Sequence, residues 1–92
     1  GQHGLAPKIT SPLRGVVYTL RPGLDLHDTI GLTSTTDADV GEVFWFANDK
    51  LLGKSRPSIP LLWRPQAGQY VVRVVDDQGR ADSRQVLVRI SR

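Results

Sequence analysis

Gly68-Gln-Tyr-Val-Val-Arg-Val-Val-Asp-Asp-Gln-Gly-Arg-Ala-Asp-Ser-Arg-Gln-Val-Leu-Val-Arg-Ile90 decides the fold. Two β-branched runs, each alternating with period two, flank the polar turn Asp76-Asp77-Gln78-Gly79, which is the pattern of an antiparallel hairpin. Gly79 is the turn residue expected at positive φ, since glycine has no Cβ to clash there. Upstream, Val43-Phe-Trp-Phe46 reads as a third strand. That strand reads as 42–47, and further out runs at 8–15, 16–20, 29–34, 50–54 and 61–63 are punctuated by turn residues. Pro12 lacks an N–H and suits an edge or a kink. Asn48-Asp49 reads as a hairpin turn. No helical period is sustained. About seven short strands predict an all-β, immunoglobulin-like antiparallel β-sandwich over residues 7–92. Residues 1–6 read as a disordered linker or remnant.

Composition narrows the function. A chain of 92 residues makes one domain with a modest core. The absence of cysteine excludes disulfides and thiolate chemistry. Apolar runs stop at four or five residues, so no insertion into a membrane is expected. The chain has no methionine, not even at its start, and reads as a processed piece or an excised segment of something longer. A net charge of +3 is mild and suggests at most a weak pull on anionic partners. Without a clustered basic stripe or a reader motif, nucleic acid is not an expected partner.

Side-chain parity then assigns faces. Tyr70, Val72 and Val74 share one face of their strand, and Val86, Val88 and Ile90 share one on the next. With Val43 and Trp45 these are the expected core. Trp45 takes the place of the immunoglobulin tryptophan, Val72 that of the second cysteine, and Tyr70 that of the corner tyrosine. The opposite face would carry Phe44, Phe46, Val71, Val75 and Leu87 with Arg73 and Arg89. An apolar outer face invites a partner, unless arginine stems and a loop cover it.

Reaction chemistry is thinly represented. Asp76 and Asp77 are adjacent on an extended chain, so their carboxylates diverge and read as solvated turn formers rather than a catalytic pair. Asp37-Ala-Asp39 has calcium-like spacing but no third acid or loop glycine. His3 and His27 lack zinc-ligand spacing. No serine sits in a Gly-x-Ser-x-Gly elbow. No cofactor is expected. Trp63, with Arg64 and Tyr18, is a candidate platform for stacking sugar rings.

Three stretches, in order, carry a family resemblance. They are Ile9-Thr-Ser-Pro-Leu-Arg-Gly15; Gly41-Glu-Val-Phe-Trp-Phe-Ala-Asn-Asp-Lys-Leu-Leu-Gly53; and Leu62-Trp-Arg-Pro-Gln-Ala-Gly-Gln-Tyr70 with Val74-Val-Asp-Asp-Gln-Gly-Arg-Ala-Asp-Ser83. Together they resemble the C-terminal domain of bifunctional class A penicillin-binding proteins of the 1C type, over about residues 8–90. The hairpin departs from that family, having Asn48-Asp49 where Asn-Gly or Asp-Gly is common. The resemblance implies a non-catalytic tail of a periplasmic peptidoglycan glycosyltransferase/transpeptidase anchored in the inner membrane. Its implied partners are the transpeptidase domain of the same chain, another cell-wall synthesis protein, or peptidoglycan itself. Neither Ser-x-x-Lys nor Lys-Thr-Gly occurs, so no catalytic residue carries over.

Overall fold

The computed structural model describes residues 4–21 and 29–91, and among these every regular element is a strand. They are β1 (Lys8–Ser11), β2 (Val17–Leu20), β3 (Ile30–Thr35), β4 (Val43–Ala47), β5 (Lys50–Ser55), β6 (Leu61–Trp63), β7 (Gly68–Asp76) and β8 (Ala81–Ile90). Two sheets result, ordered β1-β3-β6 and β2-β8-β7-β4-β5. This is the immunoglobulin-like sandwich, with one departure from the antiparallel expectation: β2 runs parallel to β8, pairing Val17 with Leu87 and Leu20 with Ile90. The cause lies in the first strands. The chain leaves β1 in the small sheet, turns through a buried, cis Pro12 and a positive-φ Gly15, and enters the large sheet as β2.

The core is the pair of inner faces. Trp45, Val72 and Val74 have no exposed surface, and Val43, Val86 and Val88 are nearly as deep. The small sheet contributes Ile9, Ile30, Leu32 and Trp63. Register aligns these side chains across the strands: Trp45 faces Val74, Ala47 faces Val72, and Tyr70 faces Val86. Tyr70 is half-buried. Its hydroxyl donates to the Gln66 carbonyl at 2.8 Å, and its ring meets Trp63 edge-on, centroids 4.9 Å apart at 85°. That contact ties β7 in one sheet to β6 in the other. Ile90 has the inward parity but ends its strand and stays 39% exposed, contrary to its expected place in the core.

Polar groups close the side of the sandwich. The N–H of Ile9 donates to Asp82 Oδ2 at 2.9 Å, and Arg84 Nη1 donates to the Pro12 carbonyl at 2.8 Å. Two inward-facing polar residues of β8 therefore satisfy backbone groups of β1 and the turn after it, where no strand partner supplies them.

Candidate functional site

The outward face of the large sheet is built by register. Phe44 pairs with Val75 and Phe46 with Arg73 across β4 and β7. Val71 pairs with Gln85, and Gln69 with Leu87, across β7 and β8. Phe44, Phe46, Val75 and Leu87 are half-buried, while Arg73 and Arg89 are exposed. All seven residues singled out from the sequence thus lie on one face. Val71 is 44% exposed and is joined by Leu51 at 56% and Val17 at 45%, neither of which the sequence reading included. Leu51 is brought opposite Phe46 by the β4–β5 hairpin, so the two-residue turn was the signal that could have found it. Val17 arrives through the parallel pairing, for which the sequence carries no local signal.

This surface is not flat. An open groove of about 470 Å³ runs between Val16, Val17, Gln69, Val71 and Leu87. A notch of about 250 Å³ adjoins it, lined by Phe46, Asn48, Asp49, Val71 and Arg73. A third hollow is bounded by Arg14, Val71, Ser83 and Gln85. Lys54 pairs with Glu42 at 3.8 Å. No described carboxylate pairs with Arg14, Arg73 or Arg89.

The sugar platform does not form. Trp63 is only 7% exposed, because β6 turns it inward against Tyr70. Tyr18 packs against the core, its hydroxyl accepting from the Leu13 N–H at 2.8 Å. Arg64 is exposed, just past the end of β6. A ring held edge-on inside a sandwich offers no face for stacking.

The acids also differ from the sequence reading. Asp76 is no solvated turn former; it is 2% exposed. Its carboxylate accepts from the N–H of Gln78 (2.9 Å), the N–H of Arg80 (2.8 Å) and Arg80 Nε (2.8 Å). Burial pushes this carboxyl up, but the backbone N–H groups of Arg80 and Gln78 and the Arg80 guanidinium outweigh it and hold it below 3.8. Asp77 Oδ2 accepts from the N–H groups of Gly41 and Glu42, 2.8 and 3.2 Å away. The same guanidinium reaches Asp39 at 3.3 Å and Asp37 at 3.8 Å, so a protein cation occupies the ground of the calcium reading. Asp37 in turn accepts from the Leu5 N–H at 2.7 Å, and a Cβ on Gly4 would collide with Arg80 Nη1. Among the described residues no three metal-ligating side chains come together. His3 and His27 lie outside the described residues.

Comparison with known proteins gives the family and the fold. A family model described as the Penicillin-Binding Protein C-terminus Family covers residues 1–90. A solved structure of Clostridium thermocellum CbhA fibronectin(III)-like modules superposes with a TM-score of 0.71 at 20% identity, covering 94% of this chain and 99% of that one. At such identity the likeness speaks for the fold alone. Curated proteins give no match.

Proposed function

We propose, because the chain belongs to the Penicillin-Binding Protein C-terminus Family, that it is a non-catalytic docking module of a peptidoglycan glycosyltransferase/transpeptidase. Its setting is the periplasm. Its partner is the catalytic portion of its own parent or another protein of wall synthesis. The observation that carries this reading is the outer face of the large sheet, where Val17, Leu51 and Val71 stay exposed beside half-buried Phe44, Phe46, Val75 and Leu87. An exposed apolar row of this kind on a sheet face is a common feature of protein docking surfaces. The alternative, a glycan-binding module, loses its principal support with Trp63 inside the sandwich.

Val71→Ser with Leu51→Ser tests the proposal better than changes to the phenylalanines, because both side chains are already solvent-facing and the fold tolerates them. Calorimetry of the domain against the purified catalytic portion of the parent should show affinity falling by tenfold or more, roughly 1.4 kcal/mol. Equal binding by the folded double variant, or none by the unaltered domain, overturns docking onto the parent.

A further inference from the structure

We propose that the hollows around Val71 receive an acidic protein segment, its carboxylates meeting Arg14 and Arg73 while apolar side chains seat on Val17, Val71 and Leu87. This rests on the docking proposed above and adds the chemistry of the partner. Val71 lines all three adjoining hollows, so any segment laid along the face must cover it. Arg73 shares the notch with Val71, and Arg14 shares the third hollow. A partner that excludes water from Val71 therefore also strips water from guanidinium groups that no described carboxylate pairs. A buried, unpaired charge opposes binding strongly, and a supplied carboxylate removes that penalty. Among the described residues, Asp49, at the corner of the notch, is the sole carboxylate lining these three hollows.

The charge also argues against a second copy of the chain. Apposing two such faces sets arginines against arginines, and like charges across an interface select against that pairing. An anionic lipid surface would answer the charge but would not fill the hollows.

Selection of a random-sequence peptide library on the whole chain, followed by chemical-shift mapping of the winners, tests the proposal. Enriched peptides should combine Asp or Glu with apolar residues and shift Val17, Val71, Gln85 and Leu87. Arg73→Glu should weaken them about tenfold, and added salt should weaken them further. Neutral or basic winners on the same face sink the acidic-partner inference and leave the docking reading standing. Winners mapping elsewhere sink both. No enrichment sinks the inference alone, the docking reading then being decided by calorimetry with the parent. Vesicles containing phosphatidylglycerol that reproduce the shifts, where peptides do not, replace the protein segment with a lipid surface.

Discussion

The hydroxyl of Tyr70 reaches back over the β6–β7 connection to Gln66, while its ring braces Trp63 of the facing sheet. Tyr70→Phe keeps the ring contact and deletes the hydrogen bond. It should cost about 0.5–1.5 kcal/mol, read as a lower urea midpoint at unchanged slope; an unmoved midpoint would mean that water serves the Gln66 carbonyl equally well. At this scale the sequence was readable where alternation was long. Trp45, Val72, Val74, Val86 and Val88 sit on strands long enough for period two to fix their facing, and all are buried. Trp63 lies on a three-residue strand, too short for alternation to choose a side. Asp76 was misread for another reason. A carboxylate in a turn looks solvated until Arg80, four residues on, folds back upon it. The Asp-x-x-Gly-Arg spacing held that signal, since Gly79 at φ +84 lets the chain return.

Strands and turns show the next level. In the β4–β5 hairpin, Asn48 and Asp49 both take positive φ, 51° and 77°. These are the signs of a type I′ turn, whose twist matches that of the strands it joins. The substitution of Asp49 for the commoner glycine thus leaves the turn intact at some backbone cost. Asn48 compensates in part by lengthening the ladder to β7: its Oδ1 accepts from the Val71 N–H at 2.7 Å, and its N–H donates to the Val71 carbonyl at 3.0 Å. Asp49→Gly should therefore stabilise the domain by about 0.5–1 kcal/mol, raising Tm by roughly 2–8 °C in a thermal melt. A lower Tm would mean that the Asp49 side chain supports the turn. The existence of the strands was legible from turn residues and β-branched runs. The parallel seating of β2 was not, because sheet-switching depends on where the chain lands after Gly15, and no periodicity encodes that.

For the whole molecule, the Asp76–Arg80 cluster couples stability to pH. The folded carboxyl titrates below its ordinary 3.8, so on acidification the unfolded chain takes up the proton first. The contribution of Asp76 is complete above about pH 4–5 and drains away as pH falls through the folded value. Asp76→Asn should be about 1–3 kcal/mol less stable near neutrality, because an uncharged amide accepts less well from the N–H groups of Gln78 and Arg80 and leaves the guanidinium only Asp37 and Asp39. Urea titrations of both proteins at about pH 7, 4 and 3 should show that gap narrowing with acidification. A gap that stays constant down to the lowest pH would assign the loss to packing instead of charge.

The same cluster sits where the chain approaches the sandwich. Leu5 is bonded to Asp37, Asp37 and Asp39 flank Arg80, and Arg80 grips the base of the β7–β8 hairpin through Asp76. A pull on the backbone at Leu5 would therefore load the Arg80 guanidinium, and through Asp76 the β7–β8 hairpin, as well as the β1–β3 ladder.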